Sequence, residues 1–376
     1  MLHVSQPRRL KSPVPATTLE ITDITADAAR LDAFDGHERI WLGRDEARGL
    51  IAIVAVHDTT LGPALGGTRV WPHVDFEAAL TDALRLSRGM TFKAAIAGVP
   101  FGGGKAVIMA DPRTDKTHAL LDAYAEMLAT LDGQYYTGED VGLTLADADY
   151  LRAQTPNVTG TTLGGSGNPS PVTAQGVFLG LRAAFAHASG GSGLAGVRVA
   201  VQGLGSVGWS LCRQLRDAGA RLVVSDIDPE RVAEAVRTLG AEAVAADAIV
   251  AADADIFAPC ALGGVLSAET IPLLRARIVA GAANNQLARH EDAALLTARG
   301  VLYAPDYVIN AGGLMNVAAE LDRDGYDREK VMAQLATIPT TLVEIFAAAE
   351  RLGRPTNDVA QEIARERIAR APRPAA

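Results

Sequence analysis

The chain has 376 residues, enough for two domains, and its 48% hydrophobic and 21% charged content is that of an ordinary globular protein. Thirty-five basic against 44 acidic residues give a net charge of −9, which argues against nucleic acid as a partner because such surfaces carry a basic excess. The two cysteines, Cys212 and Cys260, offer neither a disulfide framework nor zinc-ligand spacing, so free thiols in a reducing compartment are expected and no metal site is.

The start, MLHVSQPRRLKSPVPATT, holds charges and prolines but no apolar export segment, so a frayed extension on a cytoplasmic protein is expected. RAPRPAA at the end reads as a disordered tail. No unbroken apolar run reaches the roughly 18 residues of a membrane helix, and no membrane partner is expected. Leu50–His57 is a buried strand by its length and branched residues. A turn-rich loop and a short strand follow, then a helix from Phe76 to about Ala97. GVPFGGGKAVIMAD (98–111) reads as a glycine loop leading into a short strand, AVIM. His118–Leu131 is a second helix, and GQYYTGEDVG a strand ending in a loop.

From Thr161 the texture changes. TTLGGSGNPSPVTAQG is dense in Gly, Ser and Pro, which marks a loop and a domain boundary. Helix Ala174–Ala188, the surface loop SGGSG, strand VRVAVQ, helix Trp209–Ala218, strand RLVVSD and helix Pro229–Leu239 follow in alternation. Further short apolar runs are ADIFAPC, RIVAGAA and GVLYAPDYVIN. The alternation predicts a parallel sheet covered by helices on both faces. Lys330–Arg370 reads as helical throughout.

Gly203-Leu204-Gly205-Ser206-Val207-Gly208 fits G-x-G-x-x-G between a strand and a helix, with a second strand ending at Asp226. Gly203 permits the turn, Gly205 lets backbone approach a pyrophosphate, and Gly208 lets helix and strand pack closely. Asp226 is placed to hydrogen-bond a ribose 2′-hydroxyl and would repel a 2′-phosphate, which favours NAD as cofactor over NADP. Asp228 reads as a solvated turn residue.

The triglycine before Lys105 is not a phosphate loop. That motif needs Gly five residues before the second Gly and a hydroxyl after the lysine, whereas Val99 and Ala106 stand there. Lys93 lies twelve residues upstream, and TGEDVG adds Asp140 in another glycine-flanked loop. Two lysines in apolar, Gly-rich surroundings are unusual, because lysine is normally exposed.

With these residues in view, the chain resembles the amino-acid dehydrogenases, the superfamily of glutamate, leucine, phenylalanine and valine dehydrogenases. The resemblance is carried by LGPALGGTR (61–69), GMTFKAAIAG (89–98), FGGGKAVI (101–108), TGEDVG (137–142), GNPSPVTAQGV (167–177), GLGSVG (203–208), ANNQL (283–287) and APDYVINAGGLMNVAAEL (304–321). These motifs stand in the family's order across about residues 35–350. The length and the NAD-type acid place the chain with the leucine/phenylalanine/valine branch. The resemblance implies an α/β fold of two domains with a cleft between them. Residues 1–160 would form a mixed-sheet substrate-binding and catalytic domain, joined by C-terminal helices from about 340 to 376. Residues 161–339 would form a Rossmann-type doubly wound NAD domain. It further implies a homo-oligomer.

The implied reaction converts an L-amino acid, water and NAD+ into a 2-oxo acid, ammonium and NADH. The resemblance gives Lys93 the substrate carboxylate, Lys105 the activation of water and Asp140 the proton shuttle. Gly66 and Gly67 would line the carboxylate site. Asn284 and Asn285 would meet substrate and nicotinamide, and Ser170 and Thr173 would lie in a cofactor-binding loop. A base lysine must be partly neutral near pH 8, and burial together with Lys93 would push Lys105 down. The triglycine would then make room around a catalytic amine. Ala94 departs from the Asn found in many relatives, which puts the orientation of Lys93 in question.

Leu65, Met90, Gly138, Thr159, Leu314 and Val317 match the family's side-chain pocket, which would leave a charged substrate side chain unpaired. Gly138 and Leu314 are the pair found in some phenylalanine-type relatives, so the pattern points first to phenylalanine, with leucine and valine next. Two other readings stay open on the residues alone: a hydroxy-acid oxidoreductase of Rossmann type, or a non-catalytic NAD-binding sensor. The first would need a histidine base, and the histidines mostly lie outside the glycine-rich motifs.

Overall fold

The computed structural model describes residues 18–162, 165–191 and 193–371. The N-terminal extension, the tail from residue 372 and Ser192 of the SGGSG stretch lie outside the described residues.

The first half is built on a mixed sheet of β1 (Glu20–Asp23), β2 (Arg39–Asp45), β3 (Leu50–Asp58), β4 (Ala64–Leu65), β5 (Thr68–Val70), β6 (Gly102–Ile108) and β7 (Tyr135–Tyr136). The order is β1-β2-β3-β6-β4-β7, with β5 also paired to β6. β1, β2, β3 and β6 run antiparallel, while β4 and β5 join β6 in parallel. Helices α1 (Thr25–Ala28), α2 (Phe76–Ala97), α3 (His118–Thr130) and α4 (Leu145–Arg152) complete this half. β3 shows why its sequence reads as an unbroken apolar run. Leu50, Ala52, Val54 and Val56 face the core under α3, whereas Ile53 and Ala55 face the core under α2.

α2 has clear chemical punctuation. Asp75 caps its start by accepting from the Ala78 N–H, and Gly98 ends it in the left-handed region at φ 66°. Gln334 Nε2 and Arg367 Nη1, from far downstream, donate to the Ala97 and Ile96 carbonyls at that end.

The triglycine is not a loop. Gly102, Gly103 and Gly104 are the first three residues of β6, and all are buried. A Cβ on Gly102 would fall 2.1 Å from the Asp58 carbonyl oxygen, on Gly103 2.1 Å from the Thr91 nitrogen in α2, and on Gly104 2.7 Å from the Tyr135 ring. These glycines let neighbouring backbone close in on β6. They do not clear space for substrate.

The second half follows the predicted alternation. Its parallel sheet comprises β8 (Arg198–Gln202), β9 (Arg221–Ser225), β10 (Glu242–Ala243), β11 (Ile256–Pro259), β12 (Ile278–Val279) and β13 (Leu302–Tyr303), in the order β10-β9-β8-β11-β12-β13. This is the doubly wound order, and its switch point lies between β8 and β11. Helices α5 (Ser170–Ser189), α6 (Ser206–Asp217), α7 (Pro229–Leu239) and α8 (Asp292–Ala298) belong to this half. The helix predicted from Ala174 starts earlier, because Pro169 and Pro171 pre-set the first turn, so Ser170 and Thr173 sit on a helix and not in a loop. Asp228 is the N-cap of α7, accepting from the Glu230 N–H.

The chain closes with α9 (Asp306–Ile309), α10 (Gly312–Ala318), α11 (Arg328–Leu335), α12 (Thr337–Leu352) and α13 (Thr356–Arg370). The expected continuous helix is interrupted at Gly353, in the left-handed region at φ 64°, and Pro355 follows. Arg328–Leu352 is long and apolar enough to cross a membrane by composition. Its apolar side chains Ile338, Leu342, Ile345 and Phe346 are instead buried in the core shared with α5 and α13.

Candidate active site

One cavity of about 550 Å³ lies between the two halves. Leu65, Gly66 and Gly67 reach it from the β4–β5 crossing, Met90 and Lys93 from α2, and Lys105 from β6. Gly138 and Asp140 enter from the segment after β7, and Thr159 follows Val158, which bridges to Thr137 beside it. The second half contributes Ser170 and Thr173 from α5, Val207 from α6, Asn284 and Asn285 after β12, and Leu314 and Val317 from α10. The remaining residues of the glycine fingerprint, Gly203, Leu204, Gly205, Ser206 and Gly208, are not among the residues that line this cavity, and neither is Asp226.

Lys105 is 5% exposed, and its Nζ lies 2.8 Å from Asp140 Oδ2. Burial alone would raise the Asp140 carboxyl, but Lys105 and then Arg69 hold it below the ordinary carboxylate value. Lys93 carries a depressed amine. Burial pushes it down to about 8 against the pull of Asp306, and the Lys105 cation adds to the push. Burial also raises the Glu139 carboxyl, and the Asp140 charge raises it further. Lys93 and Lys105 share this space because Gly103 lets α2 lie directly on β6.

Gly138 does not face open volume. A Cβ there would stand 3.1 Å from the Thr159 carbonyl oxygen and 3.3 Å from its Oγ1. Thr159 is fixed in turn by its N–H and hydroxyl bonds to the Thr137 carbonyl. Leu65, Met90, Leu314 and Val317 give apolar lining to the cavity that holds the two lysines, and Thr159 lines it with them.

At the glycine turn, Gly203 has φ 95°, and a Cβ on Gly208 would fall 2.0 Å from the Gly203 carbonyl oxygen. A Cβ on Gly205 would meet nothing, so the side facing the α6 N-terminus is open for a dinucleotide's phosphates. Asp226 Oδ2 accepts from the Leu204 N–H at 2.5 Å, and its Oδ1 from the Asp228 N–H at 2.9 Å. This carboxylate thus ties the end of β9 to the turn.

Several residues escaped the sequence reading. Arg69 donates from Nε to Asp140 Oδ2 at 3.3 Å. Asp306 is a buried carboxyl raised by burial, although the Gln286 and Tyr307 N–H groups donate to it at 2.8 and 2.6 Å. Asn310 Nδ2 donates to Asn284 Oδ1 at 2.7 Å, and Asn285 holds φ 51°. Glu320 accepts from the Gly160 and Ser166 N–H groups, which fastens the crossing between the halves to the segment after α10. Arg69, Asp306, Asn310 and Glu320 all lie inside motifs already conspicuous in the sequence. Their charge or amide in an otherwise apolar stretch was the available signal.

A doubly wound dinucleotide fold facing two lysines and an aspartate across a cleft defines a two-domain oxidoreductase. Residues 39–157 match the Glu/Leu/Phe/Val dehydrogenase dimerisation domain, and residues 228–374 match the Glutamate/Leucine/Phenylalanine/Valine dehydrogenase model. Residues 199–253 also match a TrkA-N domain. The chain is 49% identical to a leucine dehydrogenase of Geobacillus stearothermophilus, over 90% of this chain and 92% of that protein. It is 42% identical to a phenylalanine dehydrogenase of Bacillus thermotolerans, over 92% of each chain. The crystal structure of L-tryptophan dehydrogenase from Nostoc punctiforme superposes with a TM-score of 0.79 at 48% identity, covering 89% of this chain and 97% of that one. The chain belongs to the Glu/Leu/Phe/Val dehydrogenase family, whose members are NAD(P)-dependent enzymes of amino-acid oxidative deamination.

Proposed function

We propose that the enzyme oxidatively deaminates a large hydrophobic L-amino acid, branched or aromatic, reversibly and with NAD. The observation that carries this reading is one cavity holding Lys93 and the Lys105–Asp140 ion pair beside the apolar wall of Leu65, Met90, Leu314 and Val317.

Lys93 receives the substrate carboxylate beside the backbone of Gly66 and Gly67. The Asp140 carboxylate takes a proton from the substrate ammonium. The nicotinamide ring, when bound, supplies the hydride acceptor. Lys105 then removes a proton from the water that attacks the imino carbon and stabilises the charge developing on its oxygen; Asp140 returns its proton to the nitrogen, and the C–N bond breaks as the carbonyl forms, releasing ammonium and the 2-oxo acid. Because Lys105 Nζ and Asp140 Oδ2 are 2.8 Å apart, a proton taken by one can pass to the other. Asn284 and Asn285 adjoin substrate and nicotinamide, and Asn310 fixes the Asn284 amide. Gly203–Gly208 hold the pyrophosphate, Ser170 and Thr173 add cofactor contacts from the start of α5, and Asp226 selects a free 2′-hydroxyl and hence NAD.

In this reading residues up to about 160, with the helices from about 340, hold substrate, and 161–339 hold cofactor. The match of 39–157 to a dimerisation domain supports a homo-oligomer. The two free cysteines, Cys212 and Cys260, support a cytoplasmic setting.

The test is a panel of 2-oxo acids with ammonium and NADH. Branched and aromatic oxo acids should turn over, and 2-oxoglutarate should be poor. Turnover that ignores ammonium would mark a hydroxy-acid enzyme, and no turnover on any acid would mark a sensor.

A further inference from the structure

Among the described residues, two cations form ion pairs with the Asp140 carboxylate, and only one of them can give up its charge. Lys105 Nζ and Arg69 Nε both approach Oδ2, at 2.8 and 3.3 Å. A lysine that activates water spends part of each cycle neutral, and the carboxylate beside it then loses its main counter-charge. An arginine guanidinium stays protonated throughout.

Local structure aims Arg69 at this carboxylate. On β5 the neighbouring residues Thr68 and Val70 are buried, Thr68 Oγ1 sharing hydrogen bonds with Tyr124 and Thr137. Strand alternation sends Arg69 to the opposite face. There its Nη1 donates to both carboxylate oxygens of Asp82, at 3.2 and 2.9 Å. Asp82 belongs to α2, eleven residues before Lys93, about three helical turns along the same face. His73 Nε2 lies 3.5 Å from the same Asp82 Oδ2.

We propose that Arg69, anchored by Asp82, is the permanent counter-charge of Asp140. It fixes the carboxylate's orientation and keeps it ionised while Lys105 is neutral. Arg69 is a positioning residue here, and so is Asp82, which acts through it. The proposal rests on Asp140 being the proton carrier. The groups acting on that carboxylate are Lys105 on β6, Arg69 on β5, Lys93 on α2, the neighbouring Glu139 and the Tyr135 hydroxyl on β7.

The experiment compares kcat/KM against pH, in amino-acid oxidation, for the wild type, Arg69→Met, Arg69→Lys, Asp82→Asn and Asp140→Asn. A carboxylate that must be unprotonated loses activity as pH falls through its pKa, and removing a nearby cation raises that pKa. Arg69→Met should therefore move the acid limb up by about one pH unit or more and lower kcat. Its NADH binding, read by fluorescence, should match the wild type. Arg69→Lys should restore the limb more fully than kcat, because one ammonium cannot hold both carboxylates as a fork does. Asp82→Asn should shift the limb in the same direction by less. If Arg69→Met does not fold, Arg69→Lys and Asp82→Asn carry the test. An unmoved acid limb in folded variants, with Asp140→Asn inactive, overturns the role of Arg69 alone. Wild-type turnover by Asp140→Asn overturns the parent reading and this proposal with it.

Discussion

Lys105 and Asp140 stand 35 positions apart in sequence, yet their side chains meet at 2.8 Å, one from a central strand and the other from the segment after β7. The pair is nearly sealed from solvent on the lysine side, with 7% of that side chain exposed. A carboxylate and an amine in such contact can exchange a proton, and under the proposed function losing either member should disable the enzyme. Lys105→Ala is expected to lower kcat by about 100-fold or more, the range for removal of a general base. NADH binding should be unchanged, since the lysine lies outside the glycine turn. Turnover near the wild-type rate would reject the assignment.

Lys93 supplies a pH signature. Its amine is held at about 8, so it is charged below that pH and neutral above it. Affinity for a substrate carboxylate should fall as pH rises through 8. The cleanest measurement is binding of a 2-oxo acid to the NADH complex without ammonium, from pH 6.5 to 9.5. An affinity that stays flat over that range would show that Lys93 does not carry the carboxylate.

Gly138 and Leu314 should set side-chain preference, by a route the sequence did not show. A methyl on residue 138 must displace Thr159 by a few tenths of an ångström, which reshapes the lining there. Gly138→Ala combined with Leu314→Val should lower activity on phenylpyruvate relative to 4-methyl-2-oxopentanoate. The expected change in the ratio of kcat/KM values is about 10- to 200-fold, corresponding to roughly 1–3 kcal/mol of lost fit. An unchanged ratio would remove both residues from the specificity wall.

Asp226 should discriminate between the two nicotinamide dinucleotides. Because it also accepts the Leu204 N–H, replacing it alone loosens the glycine turn. Ile227 beside it is 95% exposed and can be exchanged without disturbing a core. Asp226→Ser with Ile227→Arg should shift the NADPH-to-NADH ratio of kcat/KM by about tenfold or more toward NADPH, while lowering activity with NADH. Equal use of both cofactors by the unaltered enzyme would show that Asp226 does not select.

Much of this arrangement was legible in the residues themselves. The helix from Phe76 to about Ala97 lies where its pattern placed it, and the β–α alternation after the loop at Thr161 announces the doubly wound sheet. The triglycine misled because glycine has little intrinsic preference for strands. Three neighbours, β3, β4 and β5, hold β6 in the sheet, and that pairing is invisible along the chain. The different surroundings of the two lysines were hidden for a related reason. Lys93 and Lys105 look alike in sequence, and only the packed structure sets Asp140 against one and Asp306 near the other. Arg69 was visible as a letter, but its partners come from α2 and from the segment after β7.

The capped end of α2 has a consequence for the order of events during synthesis. The groups that meet its terminal carbonyls lie 237 and 271 residues downstream. At about 5–20 residues per second, a ribosome needs on the order of 15–50 s to reach them. The parallel-sheet half is continuous in sequence, and its strands are complete at Tyr303, well before α13 is made. The half that carries both lysines is therefore begun first and finished last. A chain released before α13 would hold Lys93 and Lys105 yet lack Arg367, which closes the helix carrying one of them.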